Sequence, residues 1–243
     1  MRTFTALMCL SMLACSGDSD DSGTDDSDPD LDTAGDDHGD DHDDDEATAQ
    51  VRVLHLSPDA PAVDVFVNAG DEATVSELEF EVGTAYLEVP AGTYDFQVAA
   101  AGTTAADAVL SIEGLALDAD TAYTAVAYGA LTDIAALALV DDSEGIEAGN
   151  IRLQVSHTAS GVGAVDLWEL TGGAMLVDDF AYGATGILDV PAGALELGLD
   201  LDNDAVPDVT FSVPDLGADI AVNVFAVTDA TGAFLLAQLP DGS

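Results

Sequence analysis

From Val51 onward the chain repeats itself, and that repeat limits what it can fold into more than any other feature. Val51-Arg52-Val53 is answered about 100 residues later by Ile151-Arg152-Leu153, and Ala62-Val63-Asp64-Val65 by Gly163-Ala164-Val165-Asp166-Leu167. FEVG at 80–83 matches FAYG at 180–183, and EVPAG at 88–92 matches DVPAG at 189–193. Each copy, at about 90 residues, is long enough to enclose a core of its own.

Within a copy the local signals are strands. Tyr94, Phe96 and Val98 alternate with Asp95 and Gln97, and Val63, Val65 and Val67 with Asp64, Phe66 and Asn68. A period of two means one buried face per strand. VPAG sets Pro second and Gly fourth in a turn that joins two strands. The Ala-rich run at 99–108 is broken by Gly102 and two threonines, and no stretch carries helix caps. Short strands between frequent turns predict an all-β chain of two tandem antiparallel β-sandwich domains. The expected limits are 50–141 for the first, 142–149 for a linker and 150–240 for the second.

The first fifty residues read as an address and a tether. Arg2 precedes an apolar run, FTALMCLSMLA, of signal-peptide length and too short to span a bilayer. It ends in SMLAC, which resembles a bacterial lipoprotein cleavage box. The resemblance implies a signal peptide over 1–14 and a lipid on Cys15, with Ser16 behind it pointing to the outer membrane. The only other cysteine, Cys9, lies in the apolar run, so the mature chain has no internal disulfide. Residues 15–49 are a disordered acidic tether, since Asp, Ser and Gly cannot bury enough surface to offset chain entropy. His38 and His42 in HGDDH lack a folded frame for holding a metal.

Charge narrows the partners. Three basic and 48 acidic side chains give a formal charge of −45. Nucleic acid is excluded as a partner, because phosphate binding needs Lys and Arg. No basic stripe exists for anionic lipid, so the lipid anchor is the expected route to a membrane. A lysine-free, aspartate-rich surface also suits a saline habitat.

At VRVLHLSPDAPAVDVFV, 51–67, and VPAGTYDFQV, 89–98, the chain resembles the bacterial family known as domain of unknown function 4397. The likeness is close in the first copy and looser in the second, where SPDAPAVDV becomes SHTASGVGAVDL. It implies secreted or surface-anchored proteins with an immunoglobulin-like sandwich, and it brings no catalytic residues.

Candidate sites follow from the residues. If the SPDAP connection folds two strands back on one another, Arg52 reaches Asp64 and Arg152 reaches Asp166, two structural ion pairs. His55 with Ser57 and Asp59, and His157 with Ser156, raise a Ser/His/Asp arrangement, but neither stretch resembles a nucleophile elbow. The sharpest motif is DLDNDAVPD at 200–208. Asp200, Asp202, Asp204, the Val206 carbonyl and Asp208 have the spacing of a calcium loop, with Ala205 in place of the turn glycine. It resembles the calcium loops of thrombospondin type 3 repeats and predicts a weak Ca2+ site. Trp168, the only tryptophan, is a core residue or a sugar platform. The expected function is a non-catalytic, lipid-anchored envelope protein for adhesion, matrix or assembly. A polysaccharide- or small-ligand-binding module is the alternative, and an enzyme the third.

Overall fold

The computed structural model describes residues 47–239; Cys15, the signal segment, most of the acidic tether, His38 and His42 lie outside the described residues. The first copy contributes β1 (Thr48–Leu56), β2 (Val63–Val67), β3 (Val75–Leu78), β4 (Leu87–Pro90), β5 (Gly92–Ala100), β6 (Leu110–Leu117), β7 (Ala122–Tyr128) and β8 (Ala135–Val140). The second contributes β9 (Asn150–His157), β10 (Val165–Glu169), β11 (Ala174–Phe180), β12 (Thr185–Pro191), β13 (Leu195–Asp200), β14 (Val209–Val213), β15 (Ala221–Asp229) and β16 (Gly232–Gln238). Among the described residues the only helical pieces are 3-10 turns at Ala105–Asp107 and Leu131–Asp133.

The strands form four sheets of four. Sheet A runs β4-β1-β7-β8 and sheet B β3-β2-β5-β6; sheets C (β12-β9-β15-β16) and D (β11-β10-β13-β14) repeat that order strand for strand. The fold is thus two β-sandwiches, antiparallel apart from β1–β7 and β9–β15, which run parallel. The chain crosses to sheet B for β2 and β3, returns with β4 antiparallel to β1, crosses again for β5 and β6, and comes back with β7 parallel to β1. The VPAG turn is part of this traffic, carrying the chain from β4 in sheet A to β5 in sheet B.

Alternation on each strand sorts the side chains. Val51, Val53, Val63, Val65, Phe96, Val98 and Tyr123 fill the first sandwich. Ile151, Leu153, Val155, Leu167, Leu197, Leu199, Val222 and Val224 fill the second. The opposite faces of sheets A and C are buried too. Leu54, Leu56, Val126, Tyr128 and Leu139 meet Phe225 and Val227 in a third apolar cluster, which joins the two repeats.

At β1 and β9 the copies correspond at a different register from the one that Val51-Arg52-Val53 and Ile151-Arg152-Leu153 suggest, and at the one that Val63-Asp64-Val65 and Val165-Asp166-Leu167 already show. His55 bonds the carbonyl six residues on at Pro61, and His157 does the same at Gly163, a shift of 102 positions. Glu88 lies opposite Gln50, and Asp189 opposite Arg152. Arg152 therefore corresponds to Gln50, and Arg52 to Gln154. Phe80 corresponds to Tyr182, each set edge-on to its histidine at 6.4 and 5.8 Å between ring centres. A two-residue slip keeps every side chain on its face, so the apolar pattern fits both registers.

Candidate functional site

The polar residues that sequence reading singled out gather at the repeat junction, at the sheet crossovers and on the outer face of sheet D. Arg52 is 2% exposed and sits on the outer face of sheet A. Its Nε donates to Thr124 Oγ1 at 2.8 Å, and Nη1 donates to the Leu239 carbonyl of the second repeat at 2.5 Å. Nη2 lies 3.6 Å from Asp141 Oδ2, and the guanidinium stacks 4.5 Å from the Tyr86 ring centre. Asp141 also accepts from Tyr86 Oη and Thr124 Oγ1, both at 2.5 Å, and from Asn223 Nδ2 at 2.7 Å. A buried cation needs such a set of partners to offset its lost hydration. Burial, then the neighbouring Asp141, pushes the Tyr86 hydroxyl pKa up.

Both expected ion pairs are corrected. Asp64 sits on β2 in sheet B, with Val63 and Val65 turned into the core, so Arg52 and Asp64 lie on opposite outer faces. The β1–β2 connection crosses between sheets rather than closing a hairpin. Asp64 instead accepts from the backbone N–H groups of Glu77 and Gly102, both at 2.8 Å. Asp166 likewise accepts from Asp179 at 2.9 Å, and Glu77 and Asp179 both have positive φ, at 52° and 49°. These two aspartates hold the bulge on β3 and β11 where the ladder slips.

Arg152 takes Asp189, its cross-strand neighbour, in two bonds of 2.8 and 3.0 Å, which holds the Asp189 carboxyl below its usual range. Its Nη1 reaches the Asp142 and Glu144 carbonyls at 3.3 and 3.0 Å, fastening the segment between the repeats. Sequence reading missed Asp141, Asp189, Thr124 and Asn223. Tertiary folding alone brings Asp141, Asp189 and Thr124 to the arginines, and Asn223 to Thr124 and Asp141.

The histidines are structural pins in the geometry observed. Both are fully buried, and in both Nδ1 accepts a backbone N–H two residues on, Ser57 at 3.4 Å and Ala159 at 3.3 Å. The ring proton is then on Nε2, donated to Pro61 O at 3.2 Å and Gly163 O at 2.8 Å. Ser57 is buried with its hydroxyl unpartnered, and Asp59 accepts from Leu131 N–H at 2.7 Å. Ser156 Oγ bonds Thr185 Oγ1 at 3.0 Å. Among the described residues, no serine hydroxyl bonds either imidazole. Two cavities in the first sandwich are lined almost wholly by apolar side chains, with Val53, Val65 and Phe96 in both.

The 200–208 loop holds part of its expected ligand set. Asp200, Asp202 and Asp208 bring one oxygen each within 4.8 Å of one another. Asp204 is turned to accept from Val206 N–H at 2.9 Å, and Val206 is exposed. Asp200 is fully buried and accepts from the backbone N–H groups of 202, 203, 204 and 205. Burial raises its pKa, but those four donors outweigh it and hold the carboxyl below its usual range. Asp202 is raised, first by Asp204, then by burial, Asp208 and Asp200. Asp166, Asp178 and Asp179 form a second such cluster, which Asn203 joins through Asp179 Oδ1 at 3.3 Å. The loop bends over its own sheet: a Cβ on Gly198 would lie 2.7 Å from Pro207 Cβ, and Gly198 pairs with Trp168. Trp168 is half-buried, its indole N–H enclosed and unpartnered among the described residues.

Comparison with known proteins finds one family model. Residues 49–168 match the family described as domain of unknown function (DUF4397). The resemblance is to DUF4397. The DUF4397 match takes in the first sandwich from Ala49 and runs into β10, ending at Trp168. No curated protein matches significantly. Among solved structures, the Bacillus anthracis TIE protein aligns at 12% identity and a TM-score of 0.24, over 75% of this chain and 34% of its own. The chain thus spans about a third of the TIE protein's length. A "putative cell adhesion protein" from Bacteroides uniformis aligns at 11% identity and a TM-score of 0.23, over 81% of this chain and 99% of its own. At such scores neither likeness carries an argument about function.

Proposed function

We propose that the chain is a non-catalytic protein of the bacterial cell envelope, held at the outer membrane by a lipid on Cys15 and serving adhesion, matrix or assembly. One observation carries this reading: the histidines, the arginines and the aspartates of β2 and β10 are engaged in holding the fold. His55, His157, Asp64 and Asp166 bind backbone groups, and Arg52 and Arg152 bind across the junction and the linker. The acidic exterior suits a partner that is neither nucleic acid nor anionic lipid, namely an envelope protein or a glycan. A weak calcium ion on the 200–208 loop belongs to the same proposal.

Anchoring is tested by Cys15→Ser, which is expected to release the protein from membranes or leave an unprocessed precursor. Unchanged membrane partition of that variant would remove the anchor from the proposal. Glycan arrays read with Trp168 fluorescence, and hydrolase activity profiling, address the other two readings. A saturable glycan that shifts the Trp168 signal would replace scaffold by lectin, and turnover of any substrate would overturn the non-catalytic reading.

A further inference from the structure

We propose that the junction between the repeats is an internal twofold interface, locked by Arg52, which makes the two sandwiches one cooperative body. The two faces that meet belong to equivalent sheets, A and C, and their contacts are reciprocal. Thr124 faces Arg52 across the β1–β7 ladder and Asn223 faces Gln154 across β9–β15, so the two positions correspond. They also touch, Asn223 Nδ2 to Thr124 Oγ1 at 3.1 Å, and equivalent residues in contact mark a twofold axis. Away from the axis the pattern recurs. Tyr182 stacks edge-on against Tyr128 at 5.7 Å, while its counterpart Phe80 packs in the cluster that contains Val227, the counterpart of Tyr128.

The apolar centre of this interface is dry-packed. Leu54, Leu56, Val126, Phe225 and Val227 are at most 1% exposed. Parting the sandwiches would open a contiguous apolar patch on each, which a soluble domain rarely tolerates. Beside the centre, Arg52 breaks the symmetry. Its carbonyl contact at Leu239 crosses to the second repeat, whereas the equivalent residue there is the neutral Gln154. Arg152 holds the connecting segment from the second repeat. Among the described residues these are the only two basic side chains other than histidine, and both serve the junction. The chain is then no pair of beads on a flexible linker, and the outer faces of sheets A and C are closed to partners where they meet.

Calorimetry and native-state amide exchange on the full chain test this. The wild type is expected to melt in one transition, with calorimetric and van't Hoff enthalpies equal. β1, β7, β9 and β15 should share one opening free energy. Arg52→Ala is expected to split the melt into two transitions and to speed proteolysis within 142–149. Two independent transitions in the wild type, or unequal exchange protection of the two sandwiches, would overturn the proposal, even if the variant fails to fold. An Arg52→Ala protein that melts once at an unchanged midpoint would remove Arg52 as the lock.

Discussion

His55 and His157 each stand between a backbone donor at Nδ1 and a backbone acceptor at Nε2, an arrangement that only the neutral ring satisfies. Burial, partly countered by the bonded carbonyl, lowers both pKa values below the ordinary 6.5. The unfolded chain therefore takes up protons before the folded one does. The contribution of these rings to stability is intact above pH 6.5 and is lost as pH falls below it, by at most about 1.4 kcal/mol per pH unit per ring. Denaturant melts at pH 7.5 and 5.5 are expected to show that loss, and His55→Asn/His157→Asn should flatten it. Equal stability of the wild type at both values would contradict the pinned, neutral rings. The sequence shows a histidine in each copy but not the carbonyl it bonds, since a main-chain acceptor carries no side-chain mark. The arginines' partners were not legible either, because they lie 37 to 89 positions away.

At the scale of the element, the hairpin loops of sheets B and D solve one problem in two ways. In the first repeat Asp64 caps the loop from β2 through Gly102; in the second, Asp200 at the end of β13 caps its own loop with four backbone bonds. The repulsion that raises Asp202 is what a cation would relieve. With three carboxylates converging and one Asp204 oxygen taken by the Val206 N–H, calcium affinity is expected near 10⁻⁴–10⁻³ M. Calcium at a few multiples of that value should stabilise the fold by about 1 kcal/mol. Thermal melts of the full chain in calcium and magnesium at fixed ionic strength check this. Asp202→Asn should remove the calcium-specific part and leave the diffuse response of the other carboxylates. Equal shifts for both ions would reduce the loop to a charged turn.

For the whole molecule, the charge of −45 sets self-repulsion against burial. Raising salt from 0.1 to 1 M shortens the screening length from about 10 to 3 Å, which weakens repulsion across the surface. The Arg52–Asp141 pair, at 2% and 9% exposure, is shielded from that screening. Sodium chloride is therefore expected to raise the melting midpoint steadily over this range. A flat or falling midpoint would mean that surface carboxylates are held apart by other means.

The sequence by itself determined the strands, the two sandwiches and the faces of their side chains, because alternation and turn chemistry act over a few residues. It did not determine the register between copies at β1 and β9, since a two-residue slip leaves the apolar pattern unchanged. Nor could it show that Leu54, Leu56, Phe225 and Val227, on the faces turned away from both cores, bury one another. Tertiary structure decided where each arginine goes. A charge removed from water takes whichever carboxylate, carbonyl and ring the folded chain brings within reach, and for Arg52 those are Asp141, Leu239 and Tyr86.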